Sequence, residues 1–359
     1  MAEALIEVVE PTLASEAGHC AALFRGLHAA APQLRFRLWI DRRASLPGWA
    51  DGATQLRPFF HRRWRKLEAI LLYHRLLRGG APIFVPTASY FDLRALDLAA
   101  RGPIAPHRAF LYFHKLRGDP SRLQALAALA RRQPNLELFG TSTQIVERLR
   151  GAGFRQVEAV LPVLAGVAAG EGARFRHLLS AGAARADKGF GRIVDLVERL
   201  AADGADLPIA VQTSGDHYGR YDERTRADLE RLDRLAYAGL QRVGDTLDAA
   251  AYAALFPGAV CLQPYDPAEY GDKMSAVTFD ALRAGAPVVT LAGTTMARIV
   301  EQTGAGIVVA DATAPTLLRA ARDAVARYAE LHARAAAAGQ QFRPEASWAP
   351  LVQRLQAAG

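Results

Sequence analysis

The sequence predicts an α/β protein built from two successive αβα units, each a parallel sheet with helices on both faces. The chain has 359 residues, more than one hydrophobic core usually serves. Short apolar runs alternate with longer amphipathic segments, and the alternation restarts after a Gly- and Ala-rich stretch at 161–175. We therefore predict an N-terminal domain over 1–165, a C-terminal domain over 166–340, and a helical segment over 341–359 that packs back across the domains.

Short apolar runs in the first half predict its strands. These strands are Leu5–Val9, Arg35–Ile40, Pro82–Val85, Arg108–Phe113, Leu136–Phe139 and Val157–Leu161. Apolar residues at helical spacing lie between most of them, for example over 121–132 and 142–150. We expect Ser142 to cap the second of these helices rather than to take part in chemistry.

The second half repeats the pattern. Its predicted strands are His177–Ala181, Pro208–Gln212, Leu240–Val243, Val260–Leu262, Pro287–Leu291 and Ile307–Val309. Its predicted helices are 189–202, 222–236, 246–255, 276–284, 294–303 and 314–338. Ligands of open parallel sheets bind beyond the carboxyl ends of the strands, so two such sheets facing each other would form a cleft there. The residues that directly follow strands are therefore the candidates for function.

Charge and composition narrow the classes of function. Residues 1–170 hold 23 Lys and Arg against 13 Asp and Glu, whereas residues 171–359 hold 21 against 23. A basic first half favours an anionic partner or a membrane surface, although ordinary solvated faces of an Arg-rich protein explain it equally well. The two cysteines are far apart and in no Cys-x-x-Cys pattern, which argues against a zinc site. An acidic N-terminus and the lack of a long apolar run predict a cytoplasmic protein.

The loop after the first strand of the second half has the composition of an anion site. In "SAGAARADKGFG", Gly182 allows a close turn, and Arg185 and Lys188 precede a helix that starts near Gly189. Cations beside a helix N-terminus attract anions, because free N–H groups and the helix dipole act with them. The alternative is that Asp187 pairs with Lys188 and both lie at the surface.

A similar arrangement follows the strand near 260. Tyr265 and Tyr270 flank a Pro-rich turn in "QPYDPAEYGDKMSA", and Ser275 is a natural helix N-cap. The Ser275 hydroxyl and the N–H groups of Ala276 and Val277 could instead meet a phosphate.

Two further features suit a nucleotide diphosphate. Asp272 and Asp280 are eight residues apart and could bracket ribose hydroxyls, although Asp280 could equally be solvated. Gly293, Thr294 and Thr295 begin another helix and add a third set of donors. The chain has no Gly-x-Gly-x-x-Gly after the first strand of either half, no P-loop and no Asp-x-Asp. A divalent metal is therefore not required, since cations and helix dipoles could neutralise the diphosphate.

These segments resemble those of bacterial glycosyltransferases of the GT-B fold, particularly the large retaining family-four group. The resemblance rests on 182–190, 262–289 and 293–309, where Gly285 and Pro287 keep the family's spacing. It implies two Rossmann-like domains facing across a cleft. It also implies transfer of a sugar from a nucleotide diphosphate sugar, with retention and without a metal or cofactor, in polysaccharide or glycoconjugate synthesis.

The chain departs from the family pattern at several positions. The family's paired glutamates fall on Asp272 and Asp280, its Ser-Gly at the helix start is Ser275–Ala276, and its arginine after the first glycine is Ala183. These changes keep the polar character of the site but alter the individual contacts.

The resemblance assigns roles to residues of the second half. Arg185 and Lys188 would hold the diphosphate and act in catalysis. Ser275 with Ala276 would hold the distal phosphate, and Asp280 the ribose. The base would lie at Gly244–Asp245, and we expect Lys273 to face the diphosphate, with Tyr265 and Tyr270 beside it.

The first half is expected to bind the acceptor, a glycan, a lipid-linked or another molecule. His114 follows a strand in "RAFLYFHKLRG" and could hydrogen-bond a sugar hydroxyl or move a proton, or it could be a structural polar residue. Gly18 and His19 follow the first strand and would line the acceptor side. No nucleic-acid-binding motif is present.

The run 61–77 is a candidate for peripheral membrane contact. Its basic residues precede an apolar set that helical spacing brings together, namely Trp64, Leu67, Ile70, Leu71 and Tyr73. Such a helix can lie on an anionic membrane, although an apolar stripe is more often core.

Two other functions remain open. The same fold could serve a nucleotide-sugar 2-epimerase, or a protein that binds a nucleotide or polyanion without catalysis.

Overall fold

The computed structural model describes residues 5–16, 19–49, 52–116, 120–161, 174–215, 221–244, 247–342 and 344–358. The chain divides into two compact units. Met1–Ala165 and Pro344–Gly359 form the first, and Gly166–Arg343 forms the second. Among the described helices, none combines the length and the apolarity needed to cross a membrane.

The first unit contains a parallel sheet of seven strands in the order β3-β2-β1-β4-β5-β6-β7. Its strands are β1 Leu5–Val9, β2 Arg35–Asp41, β3 Thr54–Phe60, β4 Ile83–Ala88, β5 Ala109–Phe113, β6 Glu137–Gly140 and β7 Gln156–Ala159. Its first five helices are α1 His19–Ala30, α2 Arg65–Arg78, α3 Tyr90–Ala99, α4 Pro120–Arg132 and α5 Thr143–Gly151. The direction of the strand order reverses between β1 and β4, which is where such sheets bind ligands.

The sequence did not predict the edge strand β3. Its segment "TQLRPFF" contains Arg57 and Pro58, which break the apolar run. An edge strand tolerates proline, because one side of its backbone needs no ladder partner. The cap at Ser142 is confirmed, since its side chain accepts a hydrogen bond from the Ile145 N–H at 3.4 Å.

The C-terminal tail is helical, as predicted. It forms a helix over Pro344–Ala358 that packs on α1, so it completes the first unit. Trp348 of this helix is 1% exposed and lies edge-to-face with Tyr112, at 5.7 Å between ring centroids. A Cβ on Gly26 of α1 would lie 3.0 Å from the Trp348 indole nitrogen, so a residue without a side chain makes room for the ring. Packing across both domains stays a prediction.

The second unit contains a parallel sheet of six strands in the order β10-β9-β8-β11-β12-β13. Its strands are β8 His177–Ser180, β9 Ile209–Gln212, β10 Leu240–Val243, β11 Ala259–Gln263, β12 Val288–Leu291 and β13 Gly306–Val309. Its helices are α6 Phe190–Ala202, α7 Glu223–Asp233, α8 Ala249–Ala253, α9 Pro267–Tyr270, α10 Ala276–Arg283, α11 Thr295–Thr303, α12 Ala314–Ala326 and α13 Tyr328–Gln341, and the tail helix is α14. The predicted helix over 314–338 is therefore two helices, separated at Arg327, whose ψ of 18° is not helical.

This strand order is that of a Rossmann sheet, and it reverses between β8 and β11. The loops after β8 and β11 are therefore adjacent at the switch point. They are also the loops in which the sequence predicts an anion site.

Candidate functional site

The loops after β8 and β11 are held together by backbone contacts. The Asp266 N–H donates to the Asp187 carbonyl at 3.0 Å, and the Arg192 side chain donates to the Pro264 carbonyl at 2.7 Å. Gly189 has φ of +70°, and a Cβ there would lie 2.1 Å from the Pro264 oxygen. Glycine is required at this position, because both the left-handed backbone and the close approach exclude a side chain.

Arg185 is oriented by a carboxylate of its own loop. Its Nε donates to Asp187 Oδ1 at 2.9 Å, and a second, shorter hydrogen bond joins its terminal nitrogen to Oδ2. The alternative in which Asp187 pairs with Lys188 is therefore wrong. Arginine has further N–H donors beyond these two, so the guanidinium is fixed in place and can still bind an anion.

Lys188 lies at the end of a short 3₁₀ turn, Ala186–Lys188, and its ammonium group lies near Gly182 and the Tyr265 ring. Its Nζ is 2.6 Å from where a Cβ of Gly182 would lie, and 5.8 Å from the centroid of the Tyr265 ring. Burial, together with the charges of Arg185 and Lys273, lowers the pKa of Lys188 to about 8, while Asp187 acts in the opposite direction. An ammonium group crowded by other cations is stabilised by an incoming anion.

Tyr265 and Tyr270 form the support for these cations. Both are 2% exposed, and their ring centroids are 4.7 Å apart in a small cluster with Met296. The Lys273 Nζ lies 4.7 Å from the Tyr270 ring centroid. Cation–π contacts of this kind hold an ammonium group without neutralising it. The tyrosines therefore position cations, and their own burial leaves them little surface for a ligand.

Ser275 is the N-cap of α10, as predicted, but its side chain makes no capping hydrogen bond. It is 6% exposed. Burial raises the pKa of the Tyr265 hydroxyl well above its usual value, and the nearby Ser275 hydroxyl acts in the opposite direction. The first turn of α10, with Ala276, thus starts at the switch point without a side-chain cap. This leaves the helix N-terminus suited to an anion.

In the third predicted set of donors, Gly293, Thr294 and Thr295, the two threonine hydroxyls contact the protein itself. Thr294 caps α11 by accepting from the Ala297 N–H at 3.1 Å, and it donates to the Leu291 carbonyl at 2.8 Å. Thr295 donates to the Lys273 carbonyl at 2.6 Å. The Thr295 hydroxyl thus ties the backbone of Lys273 to the start of α11, whereas the Thr294 hydroxyl caps that helix.

Asp280 is buried, so the alternative of a solvated side chain is wrong. It is 7% exposed and accepts a hydrogen bond from the Tyr252 hydroxyl at 3.1 Å. Burial raises the pKa of Asp280 to about 7, against the lowering effects of Tyr252 and Arg283. Asp272 is half-buried in the loop before α10.

His114 follows β5, as predicted, at the carboxyl edge of the first sheet. Its Nε2 donates to the Pro86 carbonyl at 2.9 Å, and its ring lies edge-to-face with Tyr112 at 4.5 Å. The ring is half-buried. A proton on Nε2 makes Nδ1 the acceptor atom of the neutral ring, which is the form a proton acceptor needs.

The remaining candidates are only partly described. Gly244 follows β10 and is exposed, near the Thr213 hydroxyl. Asp245 and Gly18 lie outside the described residues, and of His19 only the backbone, at the start of α1, is described. Within the described ranges, no group of three or more His, Cys, Asp and Glu side chains could hold a metal ion.

Sequence reasoning missed Tyr252 and Arg192. Tyr252 lies 28 residues before its partner Asp280, and Arg192 reaches a carbonyl 72 residues away, so no local spacing signals either contact.

The two Rossmann-like units and their strand orders define the GT-B fold. Sequence comparison finds no matching protein family and no matching curated protein. Comparison of structures, by contrast, finds this fold along the whole chain.

Three solved structures illustrate the likeness. Trehalose-6-phosphate synthase from E. coli, bound with UDP-2-fluoro glucose, is 12% identical with a TM-score of 0.68, over 98% of this chain and 99% of that one. HepE from Anabaena, in complex with UDP and glucose, is 14% identical with a TM-score of 0.68, over 99% and 100%. Sucrose-phosphate synthase from Thermosynechococcus elongatus is 16% identical with a TM-score of 0.64, over 99% and 94%. The chain is thus similar in fold to these proteins over nearly its full length.

Proposed function

We propose that the protein is a glycosyltransferase that moves a sugar from a nucleotide diphosphate sugar to an acceptor. The observation that carries this proposal is the cluster of Arg185, Lys188 and Lys273 at the switch point of the second sheet. These cations lie near enough to one another to lower the pKa of Lys188. Asp187 pairs with Arg185 and offsets part of this positive charge, and the remaining positive charge favours an anion such as a diphosphate.

In this proposal the cations stabilise the leaving group. The bond between the sugar's anomeric carbon and the diphosphate oxygen breaks, and the bond to an acceptor oxygen forms. The proton of the acceptor hydroxyl passes to the departing phosphate. Negative charge develops on the bridging oxygen, and Arg185, Lys188 and the N-terminus of α10 would offset it. His114 would hydrogen-bond a sugar hydroxyl or move a proton.

We base the other proposed donor contacts on the resemblance of the sequence and on the start of α10. Ser275 and the backbone at Ala276 would hold the distal phosphate, because α10 starts there without a side-chain cap. Asp280 would hold the ribose, and Gly244–Asp245 the base. Structurally similar proteins were solved with UDP and with UDP-glucose, so a UDP-sugar is the first donor to test. Retention and independence of metal belong to the proposal, and retention is studied in trehalose-6-phosphate synthase.

The acceptor would bind the first unit, with Gly18 and His19 on the acceptor side, and would be a glycan or lipid-linked molecule of cell-surface synthesis. We place the protein in the cytoplasm, at the inner face of the membrane. The support is the predicted apolar set in and before α2, of which Ile70 is half-buried. Tyr73 is in the core, whereas Trp64, Leu67 and Leu71 are 53%, 58% and 68% exposed.

A thermal-shift screen with a panel of nucleotide sugars, followed by titration with UDP, GDP and ADP, tests the proposal. We expect saturable binding of one nucleotide, weakened by Lys188→Ala. The matched control is Arg234→Ala, because Arg234 is exposed and pairs only on the surface with Glu230. Absence of binding by every nucleotide would refute the donor site. Release of nucleotide without an acceptor, or epimerised sugar seen by NMR, would identify hydrolysis or epimerisation instead of transfer.

A further inference from the structure

The first unit carries a groove that the proposed donor chemistry does not use. It has a volume of about 810 Å³ and lies between α3 and α4, beside α2. Its walls include the apolar side chains Ile70, Phe91, Leu98 and Leu126. The volume is within the usual range of roughly 300–1,000 Å³ for sites that bind small organic ligands.

The apolar side chains of the groove differ in exposure: Leu98 is exposed, Ile70 and Phe91 are half-buried, and Leu126 is buried. Leu98 is 72% exposed, and the other large apolar side chains that are exposed in the described part of the chain, Trp64, Leu67 and Leu71, lie on or next to α2, which packs against α3. On α2 the buried positions Ala69, Leu72, Tyr73 and Leu76 form one face. Leu67 and Leu71, one turn apart, lie on the opposite face. Clustered exposed apolar residues of this kind mark a binding surface.

The end of the groove nearest the carboxyl edge of the sheet is basic. Arg94 in the second turn of α3, Arg122 in the first turn of α4 and Lys115 after β5 all line it. At the other end, Arg132 and Asp97, which both belong to the described lining, pair with each other at 2.7 Å and offset each other's charge. The groove is therefore cationic at one end and apolar along its length.

We propose that this groove binds one anionic lipid, with its phosphate among Arg94, Arg122 and Lys115 and its chain along Phe91 and Leu98. Charge complementarity selects a phosphate-bearing head, and the apolar walls select a hydrocarbon chain. Tyr90 and Leu98, which bound the groove along α3, are eight residues apart, or about 12 Å of helix, enough for part of a chain.

The position of the groove indicates the role of the bound lipid as an acceptor. Its basic end includes Ser89, which follows β4, and Lys115, which adjoins His114 at the carboxyl edge of the sheet. A lipid whose phosphate lies there presents its head group where the acceptor is expected. Of the acceptor classes proposed above, the groove thus favours the lipid-linked one. This role rests on the proposed glycosyl transfer, whereas the binding of the lipid does not.

The test is titration of the full chain with dihexanoyl phosphatidic acid below its micellar concentration. Dihexanoyl phosphatidylcholine and inorganic phosphate are titrated in parallel. We expect saturable binding of the phosphatidic acid only, weakened about fivefold by Arg94→Gln and by Arg122→Gln. Leu98→Gln should weaken it about tenfold, because an exposed leucine then no longer gains from burial. Arg234→Gln is the control for charge, and a UDP titration of each variant reports the donor site separately.

Each other outcome overturns the proposal. Equal binding of inorganic phosphate would indicate an anion site without a lipid chain. Equal binding of phosphatidylcholine would indicate that the basic end of the groove does not distinguish an anionic lipid from a zwitterionic one. Unchanged affinity in the Arg94, Arg122 and Leu98 variants would place the lipid elsewhere. If Leu67→Gln rather than Leu98→Gln abolishes binding of the monomeric lipid, then the surface of α2 binds it and the groove does not.

Discussion

The lowered pKa of Lys188 predicts how the affinity for a nucleotide sugar changes with pH. Burial lowers that pKa from 10.5 to about 8, with help from Arg185 and Lys273. About 90% of the side chains are then charged near pH 7, and about 10% near pH 9. If the ammonium group binds the diphosphate, the affinity for UDP-glucose should fall about tenfold over this range. UDP-glucose suits the assay because its phosphates, both esterified, keep a fixed charge.

Lys188→Arg and Lys188→Met separate charge from fit. Arginine stays charged over the whole range, so Lys188→Arg should bind with an affinity that hardly varies with pH. Lys188→Met should bind weakly at every pH. Isothermal titration at several pH values measures all three proteins. A wild-type affinity that stays flat between about pH 7 and pH 9 would refute the reasoning.

The same pKa predicts an effect on stability. The folded-state pKa is lowered, so between about pH 8 and pH 10.5 the unfolded chain binds more protons and stability rises with pH. Below this window the charged group costs the folded state up to about 3 kcal/mol, less where solvent screens it. Lys188→Met should therefore raise the unfolding temperature near pH 7 while weakening donor binding.

Three further predictions concern other residues. Burial raises the folded-state pKa of Asp280 from 3.8 to about 7, so wild-type stability should fall as pH rises through this window. In thermal unfolding, Asp280→Asn should become more stable than wild type as pH rises, and the difference in the free energy of unfolding should reach up to about 4 kcal/mol near pH 7. Gly189→Ala should destabilise by about 2–4 kcal/mol, because its φ is +70° and a neighbouring carbonyl oxygen is 2.1 Å from the new Cβ. Gly204→Ala, with φ of +60° and open space, should cost about 1 kcal/mol, and equal losses in urea unfolding would exclude the clash. Paired Leu67→Gln and Leu71→Gln should weaken co-sedimentation with phosphatidylglycerol vesicles by more than tenfold, since both leucines are more than half exposed. Unchanged sedimentation would leave α2 without a membrane role.

The sequence predicted those parts of the fold that depend on local pattern. β1 and β10 have the predicted bounds, because a turn-forming residue follows each of them closely, Pro11 after β1 and Gly244 after β10. The sequence did not predict β3, because Arg57 and Pro58 interrupt its apolar pattern. A strand tolerates these residues at the edge of a sheet, which is where β3 lies. The two-helix form of 314–338 depends on the backbone at Arg327, for which the alanine-rich sequence gives no signal.

For the candidate site, the sequence located the loops but not the pairings within them. Basic residues just before a predicted helix can be read directly from the sequence, so Arg185 and Lys188 could be predicted as anion ligands. Which of them Asp187 would contact depends on the geometry of a 3₁₀ turn, and the structure assigns it to Arg185. The burial of Asp280 against Tyr252 depends on how α8 and α10 pack, which spacing along the chain does not encode.

A crystal structure of the protein soaked with UDP tests the central claim most directly. We predict that the diphosphate lies within hydrogen-bonding distance of Arg185 or Lys188 and against the N-terminus of α10 at Ser275. A diphosphate bound at any other edge of the chain, or no bound nucleotide at saturating concentration, would contradict the account.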